Sequence, residues 1–363
     1  MADIALRGVT RMSGRRYLLD NVDMTMRDGE LTVLFGDADC GKFTALRAIA
    51  GVEKISSGEI FVAGNPVSKL KGGKRDVAMV FEKQGLLPHK NVRDNIAFPL
   101  RMAKLDKDES ARRVAAAARR FGLEEILAKK PKKVSEEERH LIGIARAWVR
   151  RPAAYLFQAV NPKGGAEIRR RVVREMRRLV KEEGATIVYA TDNSGEALRL
   201  ADKIIVMSFG AVAQAASPQR IYRRPADIDI AELFGTPSIN LLAGEVTAHE
   251  DGTARLRLSG GSEIAVPAHV KSSLGGEQIT LGIRPPHITL DETQSNKIEG
   301  RVIEKRLKGD KTILQLDTPE GEIAAVAGEI DSDRVRLHLP PDYCILFDSK
   351  GNIVRSKPPK TRP

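Results

Sequence analysis

Residues Gly36-Asp37-Ala38-Asp39-Cys40-Gly41-Lys42-Phe43-Thr44 have the spacing of a phosphate-cradling loop, G-x-x-x-x-G-K-[ST]. In such a loop, backbone N–H groups surround phosphate oxygens and the lysine neutralises their charge. Gly36, Gly41 and Lys42 fit the pattern. Phe43 does not, because it stands where a hydroxyl would hold Mg²⁺, and Thr44 supplies its hydroxyl one position late. Asp37 and Asp39 put carboxylates near where phosphates would sit. Like charges about 4 Å apart repel by roughly 1 kcal/mol in water, and by more as water is excluded. The plainer alternative is an empty loop that only caps a helix.

Such a loop needs a strand before it and a helix after it. Leu31 to Phe35 is a continuous apolar run, the mark of a strand buried on both faces. From Lys42 to Ala50 the periodicity predicts a helix with Leu46, Ile49 and Ala50 on one side. Before this lie alternating segments, Ile4 to Val9 and Val22 to Met26, with a turn at Arg27 to Glu30. Further strands are expected at Glu59 to Val62, Val77 to Phe81, Ala153 to Phe157, Thr186 to Ala190 and Ile204 to Met207. Residues 106 to 183 are otherwise mostly helical, with breaks near Gly122, Lys130-Pro131 and Arg151-Pro152. A further helix runs through Glu196 to Leu200. Apolar strands alternating with helices predict a mostly parallel sheet covered on both faces.

Near Phe234-Gly235-Thr236-Pro237 the helix signals fade. Short alternating segments follow, among them Ala254 to Leu258, Ile279 to Ile283, Thr312 to Leu316 and Val335 to Leu339. They predict an all-β domain, a small barrel. The tail Ser356 to Pro363 is basic and proline-rich and is expected to be mobile.

A chain of 363 residues has room for two or three domains. Its hydrophobic content of 42% and charged content of 30% are those of a soluble globular protein. Its longest apolar runs are far too short to span a bilayer, and its start lacks the form of a signal peptide. Two cysteines far apart, Cys40 and Cys344, suit a reduced, cytosolic protein better than a disulfide framework. The net charge of +12 is spread over helices such as Arg169 to Lys181, and with five Tyr and one Trp no base-stacking platform is evident. Nucleic acid is therefore not an expected partner; a protein docked beneath a membrane also carries such an excess.

Taken in order, further motifs resemble the ATP-binding subunits of ABC importers of the maltose/glycerol-phosphate type. Val80-Phe81-Glu82 with Leu87-Pro88-His89 and Val92 to Ile96 resembles the family's Q-loop region. Val134-Ser135 stands at the signature, followed by Ile144-Ala145-Arg146-Ala147. Leu200-Ala201-Asp202, Ile221 to Pro225, Asn240-Leu241-Leu242 and Gly282-Ile283-Arg284-Pro285 continue the match to the C-terminal part. The resemblance covers nearly the whole chain. It implies an α/β P-loop NTPase (ABC ATPase) domain over 1–235 with a helical subdomain at about 86–150. A small all-β, OB-like barrel for regulation or dimerisation would follow over 236–355, then the tail 356–363.

Against that family the chemical positions are altered. The metal aspartate and general base of the Walker B run match Gln158 and Ala159, which bring neither a negative charge for Mg²⁺ nor a proton acceptor. The switch histidine matches Asp192, and the Q-loop glutamine matches Glu82. Asp39 takes a loop glycine's place, which strains a turn that needs positive φ. Ser13 stands where an aromatic stacks on adenine, and Pro162-Lys163-Gly164-Gly165 does not resemble the D-loop. The signature Leu-Ser-Gly-Gly-Gln is replaced by Val134, Ser135, Glu136, Glu137 and Glu138. Ser135 suits a helix cap and the glutamates suit a helix N-terminus, so they fill the anion site with fixed negative charge.

No intact catalytic or metal site is therefore expected. The resemblance implies ATP as the cofactor, bound weakly or not at all, with Mg²⁺ coordination in doubt. It implies a peripheral subunit on the cytoplasmic face of the inner membrane, serving uptake of a sugar, polyol or glycerol-phosphate-like solute. Its partners would be membrane permease subunits, a second ABC ATPase subunit and, indirectly, a periplasmic solute-binding protein. Three readings stand: a degenerate subunit paired with a competent ATPase, an active ATPase homodimer, and a non-enzymatic regulatory scaffold.

Overall fold

The computed structural model describes residues 3–83, 85–159, 165–250, 252–267, 276–290, 295–328, 330 and 332–354. The tail 356–363 and the D-loop stretch Pro162-Lys163-Gly164 lie outside them. The chain forms two compact units, Met1–Pro218 and Gln219–Pro363.

The first unit opens with an antiparallel sheet. Its strands are β1 (Ile4–Ser13), β2 (Arg16–Met26), β4 (Ser57–Val62) and β5 (Asn65–Pro66), in the order β2-β1-β4-β5. A second sheet contains β3 (Leu31–Phe35), β6 (Val77–Val80), β7 (Ala154–Gln158), β8 (Thr186–Thr191), β9 (Lys203–Ser208) and β10 (Ala211–Ala216). Its order is β10-β9-β3-β8-β7-β6, parallel throughout except for β10, which returns antiparallel on β9 at the edge. β3 and β8 are buried at every residue, as continuous apolar runs require, whereas edge strand β10 alternates between exposed and half-buried.

Helix α1 (Lys42–Ala50) packs Ala45, Leu46, Ala48 and Ile49 into one apolar cluster. The cluster includes Ile4, Leu6 and Ile60 of the antiparallel sheet and Leu34, Leu156, Val188 and Ile205 of the parallel sheet. The parallel sheet's other face is met by α5 (Gly165–Glu183) and α6 (Ser194–Leu200). Tyr189 alternates with Val188 on β8, and its hydroxyl donates to Glu196 of α6.

Three helices, α2 (Val92–Met102), α3 (Lys107–Phe121) and α4 (Glu136–Trp148), pack on one another. Each has a side-chain cap, from Asn91, Asp106 and Ser135 respectively. Buried Asn95 holds the chain leading into α2. Its oxygen accepts from Leu87 N at 2.7 Å, and its amide donates to the carbonyls of Leu87, Lys90 and Asn91.

The second unit begins with α7 (Pro218–Arg223) and α8 (Ile228–Leu233) and continues in strands. β11 (Asn240–Glu250), β12 (Thr253–Leu258), β13 (Glu263–Pro267) and β14 (Gln278–Ile283) form a sheet with β19 (Ile345–Phe347), ordered β13-β12-β11-β14-β19. β15 (Lys297–Lys308), β16 (Lys311–Thr318), β17 (Gly321–Ala327) and β18 (Arg334–His338) form another, ordered β17-β16-β15-β18. The all-β part is present as two sheets that share one core, in which Leu242, Leu256 and Leu281 of one meet Ile298, Leu314 and Leu337 of the other.

The sequence reading puts the change of structure at residue 235, whereas the compact units divide at 218. The reason lies in what residues 219–234 touch. Ala231 buries against Ile239, Ile345 and Phe347 of the β part. Arg284, only 2% exposed, donates to the carbonyls of Tyr222, Ala231 and Phe234 and lies 3.9 Å from the Tyr222 ring centroid. Burial draws the Arg284 guanidinium down to about 10.

Candidate nucleotide site

The loop after β3 makes two close approaches that exclude side chains. A Cβ on Gly36 would lie 2.4 Å from Met207 O, and one on Gly41 would lie 2.6 Å from Leu18 O. Gly41 (φ 97°) also precedes α1 without a side-chain cap, and α1 has no acidic residue in its first turn. The positive end of the helix dipole is therefore presented bare, as an anion site requires. Asp39 adopts φ 63°, the left-handed conformation that a glycine would take freely. Asp37, Ala38 and Asp39 are exposed, and Asp39 faces Arg16 at 3.6 Å in a pair exposed enough to contribute about 0–1 kcal/mol.

Lys42 turns inward. It is 2% exposed, and its ammonium donates to Gly36 O and Asp37 O, both at 2.8 Å, while standing 4.8 Å from the centre of the Phe43 ring. Phe43 itself is half-buried against the apolar cluster under α1, and Thr44 is half-buried. Burial pushes the Cys40 thiol up, with Lys42 pulling the other way. Cys40 O also accepts from Gly210 N at 3.1 Å, which ties the loop to the β9–β10 turn.

Strand order brings three of the expected positions to one edge. β8 lies between β3 and β7, with Phe35 beside Thr191 and Gln158 beside Ala190. The 36–44 loop, Gln158-Ala159 and Asp192 therefore all follow the carboxyl ends of adjacent parallel strands, where α/β sheets bind ligands. Gln158 and Ala159 are half-buried and Asp192 is exposed.

Beside Asp192 lies a buried polar group that the sequence reading missed. Glu196, 3% exposed, accepts from Tyr189 Oη at 2.7 Å and Thr191 Oγ1 at 3.1 Å, and pairs with Arg169 at 3.2 Å. Burial and the Glu196 charge push the Tyr189 hydroxyl well above its ordinary value. Alternation on β8 marks Tyr189 as inward-facing, but its link to Glu196 depends on where α6 packs.

At the head of α4, Ser135 Oγ accepts from Glu138 N at 3.1 Å while Glu138 Oε2 accepts from Ser135 N at 2.6 Å, a complete capping box. Glu137 pairs with Arg171 of α5 at 2.6 Å. Glu136 lines a cleft of about 470 Å³ together with Glu82, Lys132 and buried His140. His140 Nδ1 lies 2.8 Å from Glu136 O. The structure thus brings Glu82 to the signature helix, where Arg146 also donates to Gly85 O at 3.0 Å. Ser13 ends β1 directly across from Arg16.

The family model for "ABC transporter" matches residues 19–157, that for "MalK OB fold domain" residues 235–288, and that for "TOBE domain" residues 281–347. The chain is 36% identical to the sn-glycerol-3-phosphate import ATP-binding protein UgpC of Chromohalobacter salexigens, over 98% of this chain and 96% of that one. It is 34% identical to the lactose transport ATP-binding protein LacK of Rhizobium radiobacter, over 98% and 100%. It is 31% identical to the maltose/maltodextrin import ATP-binding protein MalK of Vibrio cholerae, over 98% and 97%. Among solved structures, the dimeric ATP-binding cassette MJ0796 bound to ADP and Pi shares the fold, with TM-score 0.52 at 22% identity over 59% of this chain and 98% of that one.

Proposed function

Because the chain belongs to the ABC transporter family of ATP-binding subunits, with MalK-type OB and TOBE domains, we propose that it serves an ABC importer as a subunit that does not hydrolyse ATP at its own site. Its solute would be a sugar, a polyol or a glycerol-phosphate-like compound; full-length relatives named for sn-glycerol-3-phosphate, maltose/maltodextrin and lactose support the sugar and glycerol-phosphate classes. It would dock on membrane permease subunits at the cytoplasmic face of the membrane and pair with a second, competent ATPase subunit. A periplasmic solute-binding protein would act through the permease. Among the described residues no helix is long and apolar enough to cross a membrane, so attachment would come through these partners.

One observation carries the reading: the carboxyl edge of β3, β8 and β7 keeps the frame of a nucleotide site and changes its chemistry. Phe43 packs half-buried against the apolar cluster, Gln158 is a neutral amide, Ala159 has no acceptor, and exposed Asp192 adds negative charge. A divalent metal fits this set poorly, since Phe43 and Ala159 offer no side-chain oxygen and Gln158 offers a neutral amide where a carboxylate would balance the charge. A nucleotide fits only in part. The bare start of α1 favours phosphate, whereas Lys42 already has two carbonyl partners and Asp37 and Asp39 repel. The capping box at Ser135 and the Glu137–Arg171 pair satisfy the signature helix without a ligand.

The same commitment of Lys42 favours a second reading, a scaffold that holds no nucleotide. Calorimetry with Mg²⁺-ATP against a Lys42→Ala control separates the two. Micromolar binding lost in the control means an ATP-holding half of a mixed dimer. No binding at millimolar ATP leaves the scaffold. Steady phosphate release by the purified chain, abolished in Lys42→Ala, would overturn both. Co-purification with a permease tests the assignment to transport.

A further inference from the structure

On the face of the second sheet turned away from the core of the second unit, β15, β16 and β18 enclose a cleft of about 640 Å³. The pleat explains which residues line it. Ile298, Leu316 and Leu337 are buried, so the alternating Glu299, Arg301, Asp317, Arg334 and Arg336 face outward. In register, Arg301 on β15 stands directly opposite Arg334 on β18 and, on its other side, Asp317 on β16; Glu299 stands opposite Arg336.

Two ion pairs follow from this register, Arg301–Asp317 at 3.5 Å and Arg336–Glu299 at 3.1 Å. Among the described residues the Arg334 guanidinium has neither an ion pair nor a hydrogen bond. Directly opposed residues of antiparallel strands have Cβ atoms about 5 Å apart, and like charges there destabilise the pairing. Arg301 and Arg334 form such a pair, and the one carboxylate beside them already belongs to Arg301. Both side chains are exposed, so folding does not demand arginine at either place.

We propose that this cleft binds a phosphate group, held between the guanidinium forks of Arg301 and Arg334. The planar fork matches phosphate oxygens two at a time, and a dianion would offset the repulsion between the two arginines. A carboxylate carries one charge and presents one edge, and Asp317 already supplies that to Arg301 while leaving Arg334 alone. The cleft is wider than a bare phosphate needs. Pro319 lines it as well and would receive the organic part of a monoester. The site belongs to the second unit and does not depend on the function proposed above.

The test is calorimetric titration of the full chain with inorganic phosphate, methyl phosphate and succinate at constant ionic strength. Wild type, Arg334→Ala and Asp317→Asn would be compared. All the substituted side chains are exposed, and circular dichroism melts would check that the variants fold. Binding of phosphate is expected to weaken about tenfold in Arg334→Ala, which removes one fork. It is expected to tighten about threefold in Asp317→Asn, which neutralises the internal competitor for Arg301. Methyl phosphate binding as tightly as inorganic phosphate identifies a monoester site, and inorganic phosphate binding alone identifies a free-ion site; either supports the proposal. Four results would overturn it: equal binding in wild type and Arg334→Ala, no tightening in Asp317→Asn, succinate as tight as phosphate, or no binding up to about 10 mM phosphate.

Discussion

Replacing Lys42 by methionine should destabilise the first unit even when no nucleotide is present. The side chain is 2% exposed and its ammonium has two carbonyl partners at 2.8 Å and an aromatic ring at 4.8 Å. Hydrogen bonds from a charged donor contribute about 1.5–3 kcal/mol each, and the ring contact adds about 0.5–1 kcal/mol. Against this, methionine avoids dehydrating an ammonium, which returns several kcal/mol. The balance is a loss of about 2 kcal/mol, roughly a thirtyfold change in the folded-to-unfolded ratio. The chain has one tryptophan, Trp148, placed in the first unit with its indole N–H on Glu183 at 2.8 Å and its ring edge-on to Phe121. Urea unfolding followed by its fluorescence therefore reports on this unit alone. Lys42→Met as stable as wild type would refute the reasoning that the lysine pins the loop. A wild-type gain of about 2.7 kcal/mol in Mg²⁺-ATP, the value expected at a hundred times Kd, would select the ATP-holding reading over the scaffold and leave this apo-state prediction standing.

Other outcomes follow from the same structure. Arg284→Ala should destabilise the second unit by about 3 kcal/mol, since three backbone carbonyls lose their donor, and the second unit's circular dichroism transition would shift down with it. Burial, then Arg284 and Arg223, hold His287 below its ordinary value of 6.5. The unfolded chain therefore takes up that proton first, and stability should fall as pH drops below about 6.5; His287→Gln should flatten that part of the profile. Ser135→Ala breaks the capping box and should cost about 1 kcal/mol in the Trp148 transition. Installing a base alone by Ala159→Glu should leave phosphate release at background, because the metal position at Gln158 and the hydroxyl position at Phe43 stay unfilled; turnover in that variant would refute the account of the edge.

The elements of the first unit were legible because their signals are local. Leu31 to Phe35 is apolar without a break, and a glycine turn and a helix start follow at once, so β3, the loop and α1 could be placed from spacing. Ser135 was readable as a cap, since its partner Glu138 lies one helical turn on. The inward turn of Lys42 was not legible: it depends on where the carbonyls of Gly36 and Asp37 point. The Glu196 cluster was hidden because Tyr189 and Arg169 reach it from other elements. Arg301 and Arg334 are far apart in sequence, and only the register of β15 against β18 makes them neighbours. The fading of helix signals near Phe234 marks where the strands begin, whereas what residues 219–234 bury depends on contacts with Arg284, Ile345 and Phe347 that lie far along the chain.

The grip of Arg284 on Tyr222, Ala231 and Phe234 has a bearing on how this β unit can be moved between chains. A chimera spliced at residue 235 would take the arginine to its new host and leave its three acceptors behind. The host would have to present carbonyls at the same places or bury a cation with nothing to receive its protons. A splice at 218 carries donor and acceptors together. The transferable cassette is therefore 219–354, and exchange among relatives should succeed across that junction more often than across the point where the β-strands begin.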